Sequence, residues 1–106
     1  MATLNGKPFD VKISEAQFQA QVIQLAKLYG WNCYFTWKSI NSPAGFPDIC
    51  AVKGKRLLFA ELKSATGELS PEQSFWMLGL MATGAEAYLW QPDRWNEIQE
   101  VLSCNS

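Results

Sequence analysis

A chain of 106 residues, 48% of them hydrophobic and five of them tryptophan, has the length of one domain and enough apolar surface for a core, which excludes a disordered segment. It contains no histidine, so His-based acid/base chemistry, His-activated nucleophiles and His-ligated zinc are excluded, and carboxylates and lysines must carry any catalysis. The net charge of −1 argues against a basic footprint spread over the whole molecule, although distribution matters more than the sum.

Residues 1–13, with Pro8 and mixed polarity, read as an N-terminal arm. They carry no apolar leader, and no run approaches the roughly 18 apolar residues of a membrane span, so a cytoplasmic protein is expected. Ser14 followed three residues later by Gln17 is a capping-box pattern. It predicts a helix with an apolar stripe of Phe18, Val22, Leu25, Ala26 and Tyr29, stopped by Gly30. Glu15 begins the same stripe, which points its carboxylate toward the sheet; as a first-turn acid it is also favoured by the helix dipole alone. Alternating aromatic and polar residues over 31–38 predict a strand with Cys33, Phe35 and Trp37 on one side. Ser42, Pro43 and Gly45 then mark a loop, and Pro47 biases Phe46 toward an extended approach.

Two short apolar runs flank a Lys53-Gly54-Lys55 corner and predict an antiparallel hairpin. With Gly54 and Lys55 as the central turn residues, and glycine supplying a positive φ, position 53 pairs with 56. Cys50 then faces Phe59, Val52 faces Leu57, and Asp48 falls opposite Glu61. Strand alternation puts Asp48, Cys50, Val52, Leu57, Phe59, Glu61 and Lys63 on one face and Ile49, Ala51, Leu58, Ala60 and Leu62 on the other. Both faces are apolar, so a sheet covered on both sides is expected. Directly opposed Cβ atoms lie about 4.5–5.5 Å apart, and two carboxylates at that spacing repel. A divalent cation neutralises them best, because a Mg²⁺ site typically takes one or two carboxylates plus water and substrate phosphate.

Ser70-Pro71-Glu72-Gln73 is a second capping box with proline at the first helical position, and the helix runs to about Thr83 with Gly84 as its stop. Phe75, Leu78, Gly79 and Ala82 are expected to face the core, with Gly79 permitting close packing, beside a second stripe of Gln73, Trp76, Met77 and Leu80. Residues 86–91 read as a strand, and Pro92 starts a last helix with Trp95, Ile98 and Leu102 inward. The order is α-β-β-β-α-β-α. Cys33, Cys50 and Cys104 have no C-x-x-C spacing and read as free thiols. Positive charge is gathered in the middle of the chain at Lys38, Lys53, Lys55, Arg56 and Lys63, while residues 65–106 are acidic, so the first four of these are expected to meet phosphates around the Asp48–Glu61 site.

Gly45-Phe46-Pro47-Asp48 followed by Glu61-Leu62-Lys63 resembles the PD-(D/E)XK nuclease signature. With Glu15 in the first helix and Gln73 in the second, the chain is similar to the VRR-Nuc branch, the short virus-type replication-repair nucleases. The resemblance covers about residues 14–91. It implies one nuclease domain over 14–102 of the α/β class, a restriction-endonuclease-like core whose mixed central sheet is covered by helices on both faces. It further implies that Asp48 and Glu61 bind Mg²⁺ or Mn²⁺ with the backbone carbonyl of Leu62 and, directly or through water, Glu15. Lys63 would orient the attacking water or stabilise charge on the phosphate, and Gln73 would position Lys63 or the metal water. The implied activity is metal-dependent hydrolysis of branched or structured DNA, such as four-way junctions in viral or phage replication or repair, with no organic cofactor.

One site per domain and two cuts per junction call for a two-fold homodimer. Trp76, Met77, Leu80 and Trp95 are the expected apolar contacts. Two readings from other classes stand beside the nuclease: an inactive nucleic-acid-binding module on the same fold, and a protein-interaction adaptor using exposed tryptophans. The adaptor explains none of the central charges, and a pure binder has no need of repelling carboxylates.

Overall fold

Ser14 and Ser70 open helices with the same device. Each hydroxyl accepts from the backbone N–H three residues on, and each backbone N–H donates to the side chain of the glutamine there. The computed structural model describes residues 13–36 and 43–104; most of the expected arm, Trp37 and Lys38 lie outside the described residues. The elements are α1 (Glu15–Leu28), β1 (Asn32–Phe35), β2 (Ile49–Lys53), β3 (Arg56–Leu62), α2 (Pro71–Ala82), β4 (Glu86–Trp90) and α3 (Trp95–Ser103), the last preceded by a 3₁₀ turn at Pro92–Arg94. No helix among the described residues is long and apolar enough to cross a membrane.

The four strands form one mixed sheet in the order β1-β2-β3-β4, antiparallel except for the β3–β4 pair. That parallel pair needs a crossover, and α2 provides it. The β2–β3 register is the one the turn chemistry predicts, with Cys50 opposite Phe59, Val52 opposite Leu57 and Lys53 opposite Arg56, and Gly54 at a φ of 59°.

On one face of the sheet Ile49, Ala51, Leu58, Ala60 and Leu62 pack under Phe18, Val22, Ile23 and Ala26 of α1 and Ile98 and Leu102 of α3. Burying each larger side chain of this set is worth about 1.5–3 kcal/mol, so this layer is the main stabilising element. Trp31 leaves the strand expected to include it, enters the same layer, and donates its indole N–H to the Leu102 carbonyl at 2.8 Å.

The other face carries α2, and here the expected helix orientation is reversed. Met77 is buried and Trp76 and Leu80 are half-buried, whereas Phe75 is 78%, Leu78 67% and Met81 49% exposed. Gly79 faces open space, so it permits no close packing. The reason is that every residue from Phe75 to Met81 except Gly79 is large and apolar, so hydrophobic periodicity does not set the helix phase. Gln73 sets it, because its side chain reaches the sheet and Trp76, Met77 and Leu80 share its stripe. Helix α2 covers only part of this face: Tyr34, Val52 and Leu57 remain exposed toward the hairpin turn.

Candidate active site

Asp48 is delivered by a loop pinned at three points. The Thr36 N–H donates to the Asp48 carbonyl at 2.9 Å and its hydroxyl to the Pro47 carbonyl at 3.3 Å. Phe46 wedges edge-on between Phe59 and Trp76, with ring centroids 6.0 and 5.1 Å away. Gly45, at a φ of 96°, lies so close to the first turn of α2 that a Cβ there would meet the Glu72 carbonyl carbon at 2.5 Å. The Asp48 carboxylate then accepts from the Leu62 N–H at 2.9 Å, reaching across the hairpin beyond the Ile49–Ala60 pair.

Glu61 is 2% exposed and is the buried charged residue of the core. Its Oε2 accepts from Gln73 Nε2 at 2.8 Å and lies 3.8 Å from Lys63 Nζ, while its Oε1 is buried with no hydrogen-bond partner among the described residues. Burial, then the facing Asp48 charge, push the Glu61 carboxyl up to about 8, with Lys63 pulling the other way.

Lys63 extends the β3–β4 ladder through its N–H to the Trp90 carbonyl at 3.0 Å. Its stem is crowded by Gly67, where a Cβ would approach Lys63 Cβ at 3.2 Å. The turn holding Gly67 is stapled by Gln91, whose Nε2 donates to the carbonyls of Ser64, Ala65 and Gly67 at 3.0, 3.3 and 3.3 Å. The roles of Gln91 and Gly67 were not foreseen from sequence: a glutamine after a strand carries no signal, and a glycine in the 64–68 connection reads only as a turn residue.

No family model matches the sequence, and no curated protein sequence is significantly similar to it. Solved structures that are similar in fold include the following two. A VRR_NUC domain superposes with a TM-score of 0.70 at 15% identity, covering 87% of this chain and 97% of that one. A Holliday junction resolvase from the archaeal hyperthermophile Archaeoglobus fulgidus superposes with a TM-score of 0.57 at 24% identity, covering 72% of this chain and 66% of that one. The chain has the restriction-endonuclease-like fold of a VRR-Nuc domain.

Within that VRR-Nuc fold, Asp48, Glu61, Lys63 and Gln73 converge as expected. Glu15 is exposed at the start of α1 and reaches Glu61 only as a weak, more distant charge. Among the described residues no three His, Cys, Asp or Glu side chains converge, so the acidic set is the Asp48–Glu61 pair. This set fits a hard divalent cation, which accepts one or two carboxylates and fills its remaining positions with water and phosphate oxygens. The orphaned buried Oε1 of Glu61 is the specific sign, since an unpaired buried carboxylate oxygen is costly unless a cation or proton meets it.

Of the basic residues expected to meet phosphates, the three that are described, Lys53, Lys55 and Arg56, lie away from this site. Lys53, Lys55 and Arg56 sit at the turn end of the hairpin, five residues along β2 from Asp48, or about 17 Å at the usual strand rise. Arg56 is engaged internally, donating from Nε and Nη2 to the two Glu86 oxygens at 2.7 and 2.5 Å and from Nη1 to the Val101 and Cys104 carbonyls at 3.1 and 2.8 Å. Its guanidinium also lies 4.8 Å from the Trp31 ring centre. The bidentate Arg56 contact holds Glu86 below the usual carboxylate range, and burial with the Glu86 hydrogen bond pushes Tyr88 up to about 12. Arg56 is therefore a structural staple between β3, β4 and the end of α3. Proximity in sequence placed these charges near the site, whereas the hairpin carries them to its far end.

Proposed function

We propose that this chain is a Mg²⁺- or Mn²⁺-dependent endonuclease of the VRR-Nuc type that cuts branched or structured DNA. The observation that carries the reading is Glu61, a buried carboxylate facing Asp48 with one oxygen tied to Gln73 and Lys63 and the other without a partner. Asp48, Glu61 and the Leu62 carbonyl would hold the cation, with Glu15 acting through water. When bound, the cation polarises the phosphodiester and acidifies an attacking water.

The protein's own groups do the rest. Lys63, held by its ion pair with Glu61, places an ammonium where negative charge gathers on the phosphate as the water oxygen bonds to phosphorus and the sugar oxygen leaves. Gln73 keeps Glu61 oriented. The likeness to a Holliday junction resolvase supports four-way junctions as the substrate class. Two symmetric cuts then favour a two-fold dimer, for which the exposed Phe75, Leu78 and Met81 stripe of α2 replaces the Trp76, Met77 and Leu80 stripe that faces the sheet.

Assaying a labelled four-way junction, a flap and plain duplex side by side, with Mg²⁺ or Mn²⁺, tests this function. Junction-selective cleavage supports it. Binding without cutting under every metal condition would favour the inactive binding module.

A further inference from the structure

Helices α1 and α2 open with the same Ser-x-x-Gln box, yet only one of the two glutamines does a second job. In α1 the Ser14 N–H donates to Gln17 Oε1 at 3.0 Å and the Gln17 N–H to Ser14 Oγ at 3.1 Å; Gln17 is exposed and its side chain makes no other hydrogen bond among the described residues. In α2 the Ser70 N–H donates to Gln73 Oε1 at 2.8 Å and the Gln73 N–H to Ser70 Oγ at 3.1 Å, but Gln73 Nε2 continues to Glu61 Oε2 at 2.8 Å.

A primary amide has an acceptor end and a donor end. A backbone N–H can only donate, so it selects the oxygen of Gln73 and turns the nitrogen toward the carboxylate. The flipped amide would set donor against donor at Ser70 and acceptor against acceptor at Glu61. We propose that the α2 capping box is a positioning device for the active site: the Ser70 N–H, by taking Gln73 Oε1, commits Gln73 Nε2 to one Glu61 oxygen and leaves the other for the cation. Gly45 ties the second carboxylate to the same helical turn, because a Cβ there would lie 2.6 Å from the Glu72 carbonyl oxygen and 2.8 Å from the Gln73 nitrogen. Both metal-facing carboxylates are thus referenced to residues 70–73. The inference rests on the reading of Asp48 and Glu61 as cation ligands.

Two variants of Ser70 separate the cap from the lock. Ser70→Ala removes the hydroxyl and keeps the N–H. Ser70→Pro removes both, and the φ of −72° at this position suits proline. Scanning calorimetry should show both variants melting at lower temperature than the parent, and calorimetric titration with Mn²⁺ alone should show Ser70→Pro binding it about tenfold more weakly than Ser70→Ala, the usual scale for losing a group that orients a metal ligand. Equal Mn²⁺ affinity in the two variants, while Asp48→Asn abolishes binding, would overturn the positioning role alone; Mn²⁺ binding that survives Asp48→Asn overturns the metal reading beneath it. A measurement on the unaltered chain covers the case in which Ser70→Pro does not fold. The side-chain amide protons of Gln73 should exchange with solvent at least tenfold more slowly than those of Gln17, and equal exchange would contradict the lock.

Discussion

Asp48 and Glu61 face each other across the open end of the β2–β3 hairpin, and a different donor pins one oxygen of each: the Leu62 N–H at 2.9 Å for Asp48 and Gln73 Nε2 at 2.8 Å for Glu61. Two carboxylates so held cannot relax away from one another. The pair stores electrostatic repulsion that a cation or a proton relieves.

That repulsion has a pH signature in metal-free protein. The Glu61 carboxyl is raised from 4.5 to about 8, so between those values the folded state keeps a proton that the unfolded chain has released. Folded protein then binds more protons, and stability falls as pH rises through that window and levels off above it. Melting temperatures in EDTA from pH 5 to pH 9 should decline, and Glu61→Gln should flatten the decline and melt higher than the parent at pH 9. A parent protein that gains stability across the window would contradict the Glu61 environment.

Lys63 is placed for chemistry more than for affinity. Lys63→Ala should slow single-turnover cleavage by about 10²–10³, the usual cost of losing one electrostatic donor, with a much smaller change in DNA affinity. An equal fall in affinity with an unchanged bound-state rate would make Lys63 a phosphate contact.

Arg56 should behave as a stability residue. Arg56→Ala leaves Glu86 with the Tyr88 hydroxyl alone and removes the guanidinium bonds to the Val101 and Cys104 carbonyls, at a cost of about 1.5–3 kcal/mol by the range for hydrogen bonds to charged groups. Arg56→Lys cannot reproduce the bidentate contact and should recover little. Chemical denaturation reads the loss, and DNA affinity of the folded variant should stay within about twofold of the parent's, since a residue outside the interface changes binding little.

The exposed stripe of α2 gives the assembly test. Leu78→Glu places a charge on a face that is 67% exposed at this residue, so it should leave the melting temperature within a degree or two, as surface changes of under about 0.5 kcal/mol do. Light scattering should report a dimer for the parent and a monomer for Leu78→Glu; a monomeric parent would refute this interface.

Much of this arrangement was legible in the sequence wherever local chemistry decides geometry. Gly54 fixed the turn and hence the register that opposes Asp48 to Glu61, and the two Ser-x-x-Gln boxes fixed both helix starts. Legibility failed where the deciding contact was non-local. The phase of α2 depends on Gln73 meeting Glu61, and hydrophobic pattern could not show it. Arg56 was read by its charge, although its partners Glu86 and Cys104 stand 30 and 48 residues away. Gln91 and Gly67, which shape the turn behind Lys63, announce themselves only in three dimensions.

Cleavage through a cation held by Asp48 and Glu61 is tested by single-turnover reactions of a four-way junction with the parent and Asp48→Asn, each with Mn²⁺ and with EDTA. Paired incisions are expected from the parent with Mn²⁺ only, and none from a folded Asp48→Asn under either condition. Parent incision that persists in EDTA, or Asp48→Asn that cuts as fast as the parent, would contradict that mechanism.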